Sequence, residues 1–199
     1  MLSVVIATRD SERALLPTLA ALVAGAAAGV VREVIIADAG SRDATAAIAD
    51  GAGCRVLTSS ARSGARLKAA ADAARGPWLM FLQPGSVPDA TWVDETRRFI
   101  EDTELQGRAG SHAAVFRAAS ATFRPALVEA LALLGAALGA RPSTAQGLLI
   151  AKMFYDALGG HRDVDGPERE LIRRLGRRRT VLLRSAAVAP RDQILDLVK

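Results

Sequence analysis

The sequence predicts an α/β fold, a single domain on a mostly parallel central sheet flanked by helices. Three observations carry that reading. Strand and helix signals alternate through the first hundred residues. The strand signals are continuous apolar runs, the mark of strands covered on both faces. One of them, Glu33–Ala37, ends abruptly in Asp38-Ala39-Gly40-Ser41, ahead of an alanine-rich helix pattern. In an α/β sheet that places a carboxylate at the carboxyl end of a buried strand, in the crevice where such folds bind ligands. Asp38 is suited to accept hydrogen bonds from an imide N–H or sugar hydroxyls, and Gly40 leaves room for close backbone approach. An Asx-type turn started by Asp38 explains the segment as well.

The elements follow in order. Leu2–Thr8 is the first strand, and Leu15, Leu16, Leu19, Leu22 and Val23 recur at helical spacing after it. Glu33–Ala37 is the second strand. Ser41 is placed as N-cap of a helix carrying Thr45 and Ile48, which Gly51 and Gly53 close. Cys54–Thr58 is a third strand, and Ser63 caps a helix running through Arg75 to the Gly76-Pro77 stop. Trp78–Leu82 is a fourth strand, Gln83–Pro88 a rigid turn, and Asp89 opens a helix bearing Trp92, Val93, Phe99 and Ile100. Strands joined by helical crossovers imply a parallel half. Further on, His112–Ala118 and Gly147–Ala151 read as strands, with an apolar helix at Phe123–Leu138 between them. A short helix ends at Leu158-Gly159-Gly160, and Pro167 starts a helix to about Arg178. Thr180–Ala186 is the last strand, and Asp192–Val198 a terminal helix.

Composition narrows the function classes. Of 199 residues half are apolar but only 4% aromatic, so the core is built of Leu, Val, Ile and Ala. Cys54 is alone, which rules out an intrachain disulfide and suggests a reducing, cytoplasmic compartment. His112 and His161 lack Cys or His neighbours at ligand spacing, so no zinc site is expected. The first strand is too short for a signal peptide and has no basic leader. The longest apolar stretch, Ala126–Ala140, is shorter than the roughly 20 residues that span a bilayer. The net charge of +5 gathers in arginines 169, 173, 174, 177, 178, 179 and 184 with no aromatic residue among them. A stacking platform for nucleic acid is therefore absent, and no nucleic-acid partner is expected. A solvated face or a patch for anionic lipid or phosphate fits better.

Four pieces of the chain give it a wider resemblance: Ser3–Thr8, Val34–Thr45, the Arg75–Pro88 block and Gln146–Leu175. Over roughly residues 2 to 185 it resembles the family 2 glycosyltransferases of GT-A fold. It looks closest to small bacterial members whose fourth strand ends in Leu-His-Ala-Asp-Thr. The resemblance implies a nucleotide-binding half over about 1–104 and an acceptor-side half over about 105–199. It implies a nucleotide-sugar donor, a hydroxyl acceptor and inverting transfer. Thr8 would border the base, Asp38 would accept from the imide or ribose, and Asp10 and Glu12 would stand in the nucleotide loop. For Asp10 and Glu12, acids complementing a helix N-terminus are the alternative. Glu168 would be the base that takes the acceptor proton, or a first-turn helix acid. Gln146-Gly147 matches a family Asp-Gln-Gly in which Ala145 replaces the acid.

The family would also imply Mg²⁺ or Mn²⁺ held by two carboxylates after the fourth strand, where this chain has Gln83-Pro84-Gly85. No metal ligands are assigned there. Arg66 and Lys68 replace neutral residues on the preceding helix; Arg66 is a candidate clamp for a diphosphate, and solvated surface charge is the alternative reading of both. A lipid-linked acceptor would fit peripheral contact of the apolar helix and late arginines with a membrane, although core packing explains the helix equally well. The competing function is a non-catalytic relative that keeps nucleotide binding as a regulatory or assembly subunit. A nucleotidyltransferase is disfavoured because Ala7-Thr8-Arg9-Asp10-Ser11 is not a Gly-rich phosphate loop.

Overall fold

The computed structural model describes residues 1–119 and 147–188. The helices expected at Phe123–Leu138 and Asp192–Val198, the Ala126–Ala140 stretch, and residues Ala145 and Gln146 lie outside them. Eight strands form one sheet in the order β3-β2-β1-β4-β7-β6-β8-β5. Its first half is β1 (Leu2–Thr8), β2 (Val31–Asp38), β3 (Arg55–Thr58) and β4 (Trp78–Leu82), all parallel. Helices α1 (Glu12–Ala27), α2 (Thr45–Gly51) and α3 (Ser63–Asp72) make the crossovers. Because these four strands run the same way, Thr8, Asp38, Thr58 and Leu82 finish at one edge of the sheet. Thr8 stands directly opposite Asp38, and Asp38 opposite Thr58.

The second half continues the same sheet. β7 (Leu148–Ala151) lies antiparallel between β4 and β6 (Ala113–Ala119). β8 (Thr180–Val188) runs parallel to β6, and the two-residue β5 (Val87–Pro88) closes the edge. Helices α4 (Trp92–Leu105), α5 (Lys152–Ala157) and α6 (Pro167–Leu175) complete the described elements, with a 3₁₀ turn at Arg177–Arg179. Strands β1 and β4 are buried along their lengths, as continuous apolar runs require. The core is aliphatic, with Trp78 and Trp92 as its largest members. Trp92 occupies the space above Gly25, where a Cβ would lie 2.3 Å from the indole.

Three expectations are corrected. Ser41 does not cap α2, which begins four residues later with Ala44 at the N-cap. The Ser41 hydroxyl is turned toward Asp38 instead, and Asp43 accepts from the Thr45 amide at the helix start. Helix α3 stops at Asp72 rather than Arg75. Carbonyls and amides just beyond it are claimed from elsewhere: Arg55 donates to Ala73 O, Lys152 to Ala74 O, and the Arg75 amide donates to Glu33. Helix α6 ends at Leu175 because Gly176 turns the chain out at φ +73°.

Candidate functional site

The loops after β1 and β2 are stitched together at the lip of the sheet. Asp10 accepts from the Arg42 amide and Glu12 from the Ala44 amide. Reciprocally, Ser41 Oγ accepts from the Asp10 amide, Asp43 from the Glu12 amide, and Thr45 Oγ1 from the Ser11 amide. Asp10 takes φ +46°, a left-handed conformation that a non-glycine residue holds at some strain. Asp10 and Glu12 thus lace two loops, a use that neither sequence reading anticipated.

Asp38 sits at the centre, only 1% exposed. Its Oδ1 accepts from Thr8 Oγ1 at 2.8 Å and Ser41 Oγ at 2.5 Å. Its Oδ2 accepts from the Gly40 and Ser41 amides at 2.8 and 2.7 Å. Burial alone would raise the carboxyl pKa, but the bonds from Ser41, Thr8 and Gly40 outweigh it, and the net shift is downward. A carboxylate offers about four acceptor positions, and the protein's own donors fill them.

Arg66 joins this cluster from α3. It is buried rather than solvated, and its Nη1 donates to Thr8 O and Ala37 O at 2.9 and 2.8 Å. Burial lowers its pKa, the charge of Arg9 lowers it further and Asp38 raises it; a guanidinium remains cationic regardless. Lys68, two residues on, is exposed and donates to Gly159 O. Thr8, Asp38 and Arg66 therefore form one unit, with Asp10 and Glu12 on its rim.

Glu168 stands apart from that unit. It lies in the first turn of α6, half-buried, and lines a cleft with Gln83, which directly follows β4. Leu67, Phe81, Leu82, Leu148, His161 and Ile172 complete the walls. The turn at Gln83 is fixed: Gln83 O accepts from Ser86 N, Gly85 adopts φ +87°, and Gly85 N donates to Thr18 of α1. Opposite it, Gly64 lets the segment before α6 come close, since a Cβ there would lie 2.0 Å from Arg162 O. Arg174 secures the same segment by donating to the carbonyls of Leu158 and Gly160 while pairing with Glu170 at 2.8 Å.

Sequence reasoning weighed His161 only as a zinc ligand, whereas its relevance lies in its burial and neighbours rather than in any spacing pattern. It is 3% exposed, and its Nδ1 lies 2.9 Å from the Tyr155 hydroxyl.

The residues at Gln83-Pro84-Gly85 do not fit a hard divalent cation. They offer one neutral amide oxygen in the side chains, where such ions need several oxygens and negative charge. Among the described residues no cluster of three or more His, Cys, Asp or Glu side chains could hold a metal.

Comparison with solved structures places this architecture. Staphylococcus aureus TarS 1–349 superposes with a TM-score of 0.71 at 12% identity, covering 95% of this chain and 60% of that one. The chain thus spans about three-fifths of that structure's length. TarS 1–349 in complex with UDP-GlcNAc gives 0.66 at 12% identity, over 96% of this chain and 58% of that one. Glucosyl-3-phosphoglycerate synthase from Mycobacterium tuberculosis, with Mn²⁺, UDP and glucosyl-3-phosphoglycerate, gives 0.61 at 19% identity, over 100% and 74%. These likenesses identify the GT-A fold. No curated protein matches the chain significantly by sequence. The sequence model described as Glycosyl transferase family 2 matches residues 3–132, well over half of the chain, so the chain belongs to glycosyl transferase family 2.

Proposed function

We propose that the protein transfers a sugar from a nucleoside-diphosphate donor to a hydroxyl acceptor, with inversion. The observation that carries this is the cleft shared by Glu168 and Gln83, which follows β4, the strand paired with β1, while Leu67 on the cleft wall adjoins Arg66 in α3. The first half, about residues 1–104, takes the nucleotide, and the remainder takes the acceptor. Among the structural neighbours, TarS 1–349 is described in complex with UDP and with UDP-GlcNAc. That supports a uridine nucleotide as the first donor to test.

Asp38 holds the nucleoside by exchanging one of its hydroxyl donors for a base imide or ribose hydroxyl, while its amide bonds keep the loop in place. Asp10 and Glu12 fix the rim. Arg66 brings positive charge to the strand ends where a diphosphate would lie. Glu168 takes the proton from the acceptor hydroxyl as that oxygen bonds to the anomeric carbon. The bond from this carbon to the diphosphate oxygen breaks, and the nucleoside diphosphate leaves with the electron pair on the opposite face. No step here runs through a metal, because the donor set does not fit one.

A second reading has its own support in Gln83-Pro84-Gly85: a family member that binds nucleotide without turnover. Isothermal titration with uridine and guanosine diphosphates, with and without Mn²⁺, followed by a donor-hydrolysis assay, tests both. Metal-independent binding with slow hydrolysis is the expected result. Binding without hydrolysis, with acceptors tried, favours the second reading. Absence of binding to either nucleotide overturns both.

A further inference from the structure

The inner wall of the Glu168 cleft carries two polar side chains that the proposed reaction has not used, Gln83 and the more deeply buried His161. His161 is nearly closed to solvent, and its Nε2 has no hydrogen-bond partner among the described residues. Its tautomer follows from its neighbours. The Tyr155 oxygen already accepts from the His161 backbone N–H at 3.0 Å. The Tyr155 hydroxyl proton finds an acceptor at His161 Nδ1, 2.9 Å away, so the ring proton belongs on Nε2. Burial, with Arg174 nearby, keeps the ring neutral by lowering its pKa to about 3. The cleft is therefore lined by a neutral ring with an unpartnered Nε2–H, by the Gln83 amide and by the Glu168 carboxylate, among apolar side chains.

Building on the glycosyltransferase reading, we propose that His161 Nε2–H holds an uncharged oxygen of the acceptor, next to the hydroxyl that Glu168 deprotonates. The acceptor is accordingly a neutral polyol or sugar-like molecule rather than a carboxylate or phosphate ester. An anion entering this cleft would lose its hydration among Leu67, Leu148 and Ile172, meet no cation on the cleft wall, and face the Glu168 charge. A neutral hydroxyl compound pairs its oxygen with the Nε2–H and its proton with the half-buried Glu168, and the buried N–H is satisfied.

The test is ¹H–¹⁵N long-range NMR of the histidine ring nitrogens in the full chain at pH 7. Uridine diphosphate is present, and methyl α-D-glucopyranoside or glycerate is titrated in. The expected spectrum shows the Nε2–H tautomer, and the Nε2 resonance moves with the glucoside and not with glycerate. The moving ring signal should be absent from the spectrum of His161→Phe, which assigns it to His161, and in His161→Gln the side-chain amide N–H signal of the new glutamine should move with the glucoside in its place. An Nδ1–H tautomer overturns the proposal. So does an Nε2 signal that ignores the glucoside while uridine diphosphate binds normally, which would leave the N–H facing the Phe81 ring, 4.6 Å away between centroids. Failure of uridine diphosphate to bind overturns the donor reading instead, and the two failures are thereby told apart.

Discussion

Asp38 illustrates how much one side chain organises at the lip of the sheet. Replacing it with Asn turns one acceptor oxygen into a donor facing either the Gly40 and Ser41 amides or the Thr8 and Ser41 hydroxyls. Leaving buried donors unmet costs about 1–3 kcal/mol, so urea titration of Asp38→Asn should show a midpoint lowered accordingly. Glu168 makes the opposite prediction. Glu168→Gln keeps the shape of the cleft but has no base, so kcat should fall roughly 10²- to 10⁴-fold. Calorimetric affinity for uridine diphosphate should stay at the wild-type value. That Asp38 starts an Asx-type turn was legible, as one of two readings, from its place at the end of an apolar run ahead of Gly40-Ser41. That Ser41 serves Asp38 rather than the helix was not, because an N-cap and a loop bond ask for the same residue type. Arg66 shows the same limit. An Arg on a helix reads as surface charge until the carbonyls of Thr8 and Ala37 are seen above it.

At the scale of elements, the Glu168 cleft depends on a close approach between the start of α3 and Arg162. Gly64→Ala would drive its methyl into the Arg162 carbonyl. Overpacking of this kind costs about 1–3 kcal/mol, a fall in melting temperature of roughly 2–12 °C for a chain of this size. Differential scanning calorimetry would read it. Activity should drop further than stability does, since the displaced segment leads to His161 and Glu168. Strands β1 and β4 were readable to the residue, since an uninterrupted apolar run bounded by polar residues leaves little choice of register. The ends of α3 and α6 were not equally readable. Helical patterning continues through Arg75, but Glu33, Arg55 and Lys152, distant in sequence, claim the backbone groups there.

For the whole molecule, the pH dependence of stability has a sign fixed by buried groups. His161 is held neutral down to about pH 3 in the fold by burial and by Arg174, with Tyr155 bonded to it and Glu168 across the cleft. Once unfolded it titrates near 6.5, so below that pH the unfolded chain binds the extra proton. Stability is therefore complete above about 6.5 and falls by up to about 1.4 kcal/mol per pH unit as the medium becomes more acid. The carboxyls of Asp38, Glu33 and Asp89 are held below their ordinary values, net of burial that acts to raise them. Their contribution is present above about pH 4 and is lost below it. Denaturant titrations at pH 7 and pH 5 should differ by about 2 kcal/mol in the wild type and by much less in His161→Phe. The architecture as a whole was readable because alternating buried strands and crossover helices admit few arrangements. The single sheet that runs on through β7, β6 and β8 depends on strand pairing between distant segments, which no local pattern encodes.

The cross-bonded loops at the sheet edge have a thermodynamic corollary. Asp10, Glu12, Ser41 and Asp43 fix the two loops against each other from within, so under the proposed function an incoming nucleoside would meet a mouth that needs little rearrangement. Little ordering entropy would then be subtracted from its contacts, and encounter would be governed by diffusion and charge rather than by refolding of the entrance.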